Sequence, residues 1–343
     1  MTQTFTNFEV IIVNDCSTDN SVAIVESYAS KFNGRLTLSH TETNSGSPGI
    51  PRNKGLILSR GEYVYFMDAD DMLTKTALEE LYALAKKFDA DLAHFTGVYT
   101  ATADGTITET SFNRNYNSTD KLLLDENLPM RLKGILEGKF WYAPWRYFIK
   151  RTLPIEHELF FPKLTTAEDQ IFMRAMILCA KKFLIVPRAL YIYRKSENST
   201  TRTERTFEQK AKVCLEPTTI GLSWLKNVLR KIEFFKANPQ YAQHILEQFA
   251  WLRISDFLRQ CNDRSFADVY KALQYVFGEK LGEHDVLICA LCTVLNTQQK
   301  INAANIQQFN QFVAHAQEQV DQFAAAANKR IAELESEVKR LQS

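Results

Sequence analysis

The chain has almost no net charge. Its 343 residues include 41 basic and 40 acidic side chains, for a formal +1, which argues against nucleic-acid recognition driven by bulk charge. Cysteine is sparse and scattered: Cys16, Cys179, Cys214, Cys261, Cys289 and Cys292 lie mostly in apolar runs. That usage suits a reduced, intracellular protein and excludes a disulfide scaffold. Cys289 and Cys292 form a C-x-x-C, but no second Cys/His pair follows, so core thiols are expected there rather than zinc or redox chemistry. A long hydrophobic run is missing as well. The most lipid-like stretch, 286–295, is about half the length of a membrane-spanning helix. The N-terminus has no charged head followed by an apolar core, so no signal peptide is expected. No glycine-rich phosphate loop lies near the N-terminus, which counts against a nucleotidyltransferase, although such enzymes also use paired Asp on an α/β sheet. What is present, 45% hydrophobic and 24% charged, is an ordinary globular composition. The length allows two or three domains, or one domain with a long appendage.

The chain is organised around Gly61 to Asp71. Tyr63 to Met67 is unbroken aromatic and apolar sequence, which predicts a strand buried on both faces. It runs into Asp68, Asp70 and Asp71. Clustered carboxylates at a buried strand end are costly unless they meet a cation or a hydrogen-bonding ligand, and the carboxyl ends of strands are where open α/β sheets bind ligands. An Asp-x-Asp on a strand points both carboxylates the same way. Such hard oxygen donors suit Mg²⁺ or Mn²⁺ completed by phosphate. An acidic turn capping the next helix is the alternative.

Upstream, Phe8 to Val13 reads as a central strand, ending in Asn14, Asp15 and a run of turn and N-cap residues before a helix over 22–32. Asp15 occupies the same kind of position as Asp68, or caps that helix with Ser17 and Asp19. A short strand over 35–39 precedes the Gly/Pro loop 44–51, where backbone N–H groups can approach an anion. Arg52 and Lys54 then open a helix, near a terminus that favours phosphate. An amphipathic helix over 75–88 and a strand over 91–99 follow. This alternation predicts a largely parallel, layered sheet.

Residues 101–120 are polar and read as a loop or edge hairpin. Helical character returns over 122–137, before six aromatics in the ten residues Phe140 to Ile149. Trp141 and Trp145 belong to the core or line a cleft as stacking surfaces. Glu168 and Asp169 fall in the first turn of a helix over 171–180, where they complement the macrodipole or supply a general base. Short strands over 183–186 and 190–193 lead to Arg194 and Lys195 in a polar segment. From 206 onward, helix follows helix. Over 306–341 apolar residues recur in steps of three and four, ending in Ile331, Leu334, Val338 and Leu341. That heptad seam favours a parallel two-stranded coiled coil and hence a homo-oligomer; a long helix folded against its own domain is the alternative. The expected organisation is a domain over 1–205, a helical domain over 206–300 and a coiled-coil helix over 301–343.

Taken in order, residues 3–21, Asn44 and Gly46, Arg52, Asn53 and Gly55, Phe66 to Asp71, Trp145, Glu168-Asp169, and Tyr191 to Arg194 resemble the family 2 glycosyltransferases of the GT-A fold, a Rossmann-like mixed α/β sheet flanked by helices. The resemblance covers about residues 3–200. It implies an inverting transfer from a nucleotide-diphosphate sugar, a UDP-sugar by preference, to a hydroxyl of a surface-glycan or lipid-linked acceptor. The work would be done in the cytoplasm or at the inner membrane face, in peripheral contact with the membrane and without nucleic acid. By the same resemblance Asp15 would meet the base, and Arg52 the base or diphosphate. Asp68 would contact the ribose or metal side. Asp70 would hold Mn²⁺ or Mg²⁺, and Asp169 would be the base with Glu168 beside it. Arg194 and Lys195 would close over the diphosphate, and Trp145 would wall the acceptor. One base and no covalent carboxylate partner imply a single displacement. The chain departs from the pattern twice. The family's usual first strand and helix are not found ahead of Phe8, and no His lies between Glu168 and Thr206 to serve a metal. An inactive nucleotide-binding scaffold held in oligomers is the alternative reading.

Overall fold

The computed structural model describes residues 2–102, 105–110, 122–194, 204–261 and 264–278. The heptad segment 301–343, Lys195, Cys289 and Cys292 lie outside the described residues. By its contacts the chain divides into Met1–Phe257 and Leu258–Ser343.

The first unit opens with β1 (Val10–Asn14), whose β-branched residues pair in parallel with β2 (Leu36–His40). Between them lie α1 (Ser21–Ser27) and a 3₁₀ turn, Ala29–Phe32, closed by left-handed Asn33 and Gly34. Next comes α2 (Gly49–Leu58). A seven-stranded sheet follows: β3 (Tyr63–Tyr65), β4 (Met72–Leu73), β5 (Leu92–Ala101), β6 (Ile107–Thr110), β7 (Leu123–Asp125), β8 (Tyr147–Lys150) and β9 (Phe183–Arg194). Its main path runs β3-β8-β5-β9-β4, with β6 on β5 and β7 on β9.

The expectation of a largely parallel sheet is corrected here. Among the described residues only β1–β2 and β5–β9 are parallel; the other pairs are antiparallel. Strands β3 and β5, joined through α3 (Ala77–Phe88), do run the same way, but β8 arrives later in the chain and inserts between them, antiparallel to both. The result is the mixed sheet of a GT-A-type α/β fold. A second correction concerns β3. Tyr63 to Tyr65 is an edge strand, half-buried and paired with β8 alone among the described residues, rather than a strand buried on both faces. A third concerns β9, one twelve-residue strand rather than two short ones. Pro187 and Arg188 break its apolar pattern, and the structure absorbs the break as a register shift opposite Gly97. A Cβ at Gly97 would sit 2.9 Å from Cβ of Ala189, so only glycine lets the strands pass.

Side-chain alternation sorts the central strands into two layers. Leu92, Ile149, Phe183 and Ile185 face one core with α6 (Glu168–Cys179), while Ala93, Phe95, Phe148, Leu184 and Val186 face the other with α3. From Ile171 to Cys179, α6 is buried all round. Burying each of its large apolar side chains is worth about 1.5–3 kcal/mol. Its last carbonyls are met by buried Arg131 of α4 (Leu128–Leu136), which donates to the oxygens of Ile177 and Ala180. The stretch expected to be helical over 122–137 therefore begins as strand β7.

Beyond the sheet, Thr206 and Gln209 form a capping box at α7 (Phe207–Glu216). A π turn, Pro217–Gly221, leads to α8 (Leu222–Leu229), then α9 (Glu233–Ala237) and α10 (Pro239–Gln260). Leu225, Val228, Leu229, Phe235, Ile245 and Phe249 join the same core as α6. The described part of the second unit is the end of α10 and α11 (Phe266–Phe277), which is capped by Ser265 with Asp268. No described helix is long and apolar enough to cross a membrane.

Candidate active site

Three elements bring charged side chains together: the N-terminal half of α2, the turn after β3 and the first turn of α6. Arg52 of α2 links the other two. Its Nη2 donates to Asp68 Oδ1 at 2.9 Å and its Nη1 to Glu168 Oε1 at 3.4 Å. The guanidinium lies over the ring of Phe161, 5.6 Å from its centroid. Gly49, one turn earlier on α2, is pressed against the same place. A Cβ there would stand 3.0 Å from Glu168 Cγ and 3.0 Å from Phe161 Cβ.

Glu168 is buried, and burial together with the neighbouring charge of Asp169 raises its pKa to about 7, while Arg52 pulls it back. Asp169 is half-buried. Burial pushes its pKa up as well, against the N–H of Gln170 and the charge of Arg52. Its Oδ1 accepts from that N–H at 2.7 Å. Burial thus raises both carboxyls above their ordinary range, and Glu168, at about 7, comes near the pH where a base works best.

The acidic turn differs from its sequence-based expectation. The strand ends at Tyr65, and Asp68 to Asp71 form a turn in which the N–H of Asp71 donates to the carbonyl of Asp68. The period-two argument therefore does not apply, and the three carboxylates part company. Asp68 turns to Arg52. Asp70 is exposed, with no hydrogen bond or ion pair among the described residues. Asp71 is buried, accepting from Tyr191 Oη at 2.6 Å and from the N–H of Arg194 at 2.7 Å. Among the described residues no three His, Cys, Asp or Glu side chains group as a metal site. Of the three carboxylates Asp70 is the one left unengaged among the described residues, and so the one that could hold a cation.

Asp15 sits at the end of β1, where it anchors the loop before α2. It accepts from Thr41 Oγ1 at 2.7 Å, from Ser45 Oγ at 2.8 Å and from the N–H of Ser45. Burial raises its pKa, but these bonds outweigh it and hold the carboxyl below its ordinary range. Trp145 is half-buried and stacks on Tyr191, with ring centroids 4.4 Å apart. Its carbonyl accepts from Tyr65 Oη. Arg194 ends β9 with an exposed side chain. Sequence reasoning missed Asp71, Tyr191 and Asn53 as parts of this site. Asp71 stood in the acidic run and the other two within quoted motifs, but their partners lie between 108 and 120 residues away.

Comparison with known proteins identifies the chain's relatives. Residues 1–136 match the family model described as glycosyl transferase family 2. Poly(ribitol-phosphate) beta-N-acetylglucosaminyltransferase TarS of Staphylococcus aureus (strain MW2) is 33% identical over 193 residues, 55% of this chain and 30% of that protein. Glycosyltransferase GlyG of Streptococcus pneumoniae serotype 4 is 30% identical over 207 residues, 59% of this chain and 66% of GlyG. The crystal structure of S. aureus TarS 1–349 in complex with UDP-GlcNAc superposes with a TM-score of 0.58 at 25% identity, covering 80% of this chain and 75% of that one. The chain spans only 30% of the length of TarS and 51% of S. aureus TarP.

Proposed function

Starting from the fact that this chain carries a family 2 glycosyltransferase domain of the GT-A fold, we propose that it transfers a sugar from a UDP-sugar to an acceptor hydroxyl with inversion at the anomeric carbon. The observation that carries the reading is Arg52, which joins Asp68, in the turn after β3, to Glu168 at the start of α6. One guanidinium thus spans the two halves that such a reaction needs. UDP-GlcNAc is the ligand of the TarS 1–349 crystal structure and is the first donor to test.

The residues take these roles. Asp15, at the tip of β1, meets the uracil by exchanging one of its loop bonds. Asp68 faces the ribose, and Arg52 turns from Asp68 to the diphosphate while keeping Glu168. A divalent cation at Asp70, when bound, supplies positive charge to the leaving diphosphate. Arg194, with Lys195 after it, adds charge on the same side. Asp169 takes the proton from the acceptor hydroxyl as that oxygen attacks the anomeric carbon from the face opposite the leaving group. Glu168 stays with Arg52. Trp145 walls the acceptor side, its ring braced by Tyr191. The acceptor is a surface-glycan or lipid-linked hydroxyl, reached in the cytoplasm or at the inner membrane face. Polyol-phosphate polymers, which the names of TarS and TarP specify, are the first class to try. The heptad repeat over 306–341 joins chains into an oligomer.

The test is release of UDP from UDP-GlcNAc with Mn²⁺, comparing wild type with Asp70→Ala. Turnover in the wild type and its loss in the variant support the reading. One observation favours a second reading, a nucleotide-binding scaffold without turnover. Among the described residues no strand joins β1, which ends just before Asp15, to the seven-stranded sheet that leads to Asp68. Tight UDP binding by a wild type that never turns over would select that reading.

A further inference from the structure

We propose that Asn53 is a positioning residue that locks α2, and with it Arg52, to the segment leading into Glu168 and Asp169. The proposal rests on the sugar-transfer reading and names a part of the site that the reading does not use.

Asn53 treats the backbone of Phe161 as a strand would. Its Nδ2 donates to the carbonyl of Phe161 at 2.9 Å, and its Oδ1 accepts the N–H of Phe161 at 2.8 Å, across 108 residues of sequence. A side-chain amide alone offers a donor and an acceptor at that spacing. Asp keeps only the acceptor, Ser reaches with one group, and Gln is a methylene too long.

What Asn53 holds is the hub of the site. The Phe161 ring stacks on Phe172 of α6 with centroids 3.8 Å apart and meets Phe66 edge-on at 5.3 Å, two residues before Asp68. The same ring lies beneath Arg52. Phe161 therefore touches all three elements that supply charged groups, and it is buried. Gly49 shows how tight the fit is, since a Cβ there would press on both Glu168 and Phe161 at 3.0 Å and need them to give way. Two bonds to one backbone residue fix both translation and rotation of the 161–168 segment against α2. A single bond or an apolar contact leaves it free to slide. Displacements of about 1 Å in such registers cost rate rather than affinity.

The test uses the whole chain as Asn53→Ala and Asn53→Asp. It reads the ¹³C titration of the Glu168 carboxyl, assigned by its loss in Glu168→Gln, alongside UDP-GlcNAc turnover with Mn²⁺. The charged groups facing that carboxyl are Arg52 and Asp169. In folded Asn53→Ala the segment draws back, water reaches Glu168, and its titration moves from about 7 toward the ordinary carboxylate range. Turnover falls in kcat by about tenfold or more, while KM for UDP-GlcNAc stays within about threefold. Asn53→Asp, which keeps the bond from the Phe161 N–H, is expected to fall between, and it serves alone if the alanine variant does not fold. A Glu168 titration unmoved in a folded variant overturns the proposal, because a merely structural asparagine lowers Tm without touching that carboxyl. A shifted titration in a protein whose wild type shows no turnover upholds the positioning role and counts against the sugar-transfer reading instead.

Discussion

Arg52 Nη2 stands 2.9 Å from Asp68 Oδ1 and makes that contact while also reaching Glu168, 116 residues further along the chain. Two anionic groups on separate elements thus share one planar cation. A fork of donors can serve both; an ammonium is a point charge and can serve only one well. Arg52→Lys is therefore expected to weaken UDP binding by about tenfold or more, close to the loss from Arg52→Met. Calorimetric titration with UDP checks this. Full affinity in the lysine variant would show that the fork is not used.

Asp169→Asn is expected to abolish transfer while leaving UDP affinity within about threefold, because a base acts on the acceptor and not on donor binding. UDP titration beside a turnover assay separates the two. A large loss of UDP affinity would move Asp169 to the donor side.

Glu168 gives a pH prediction with a definite sign. Its pKa is raised from 4.5 to about 7 in the folded chain, so between those values the folded state binds more proton than the unfolded one. Its contribution to stability is then greatest below pH 4.5 and declines as pH rises through about 7. Glu168→Gln removes that decline. Thermal melts are expected to show the variant gaining on wild type between pH 5 and pH 8 by several degrees, on the order of a kcal/mol or more. A constant gap across that range would contradict the shift.

Tyr191→Phe keeps the stack on Trp145 but takes one of two partners from buried Asp71. Leaving that carboxylate half-satisfied is expected to cost about 1–3 kcal/mol, read by urea unfolding. Because Asp71 also holds the N–H of Arg194, turnover should fall with little change in Trp145 packing. An unchanged midpoint would show that the phenol is dispensable.

The heptad seam predicts that removing residues 303–343 lowers the solution mass to that of a smaller assembly with the remaining fold intact. Light scattering before and after truncation measures this. An unchanged mass relative to chain length assigns oligomerisation elsewhere.

Much of this fold was legible because local chemistry marks it. The β-branched run Val10–Val13 and the amphipathic helix Ala77–Phe88 appear where period and propensity put them. Strand direction was not legible. Nothing in Tyr147–Lys150 says that it slips between β3 and β5, since that depends on what the rest of the chain leaves open. The single strand β9 was hidden by Pro187, whose tolerance depends on Gly97 ninety residues away in sequence. Within the site the charged residues stood out in the sequence, but that Arg52 pairs with both Asp68 and Glu168 was not legible there. Nor was the division of labour among the carboxylates. Asp68, Asp70 and Asp71 look alike in sequence, and only the turn decides that one pairs with Arg52, one is bonded to Tyr191 and one faces solvent.

The most direct measurement is a crystal of the whole chain soaked with UDP and MnCl₂, with anomalous data collected for manganese. The account predicts an anomalous peak within coordination distance of Asp70, the diphosphate against Arg52, and Asp169 facing the open side. Nucleotide bound away from α2, or a site where Asp70 and Asp169 open to different surfaces, would contradict it.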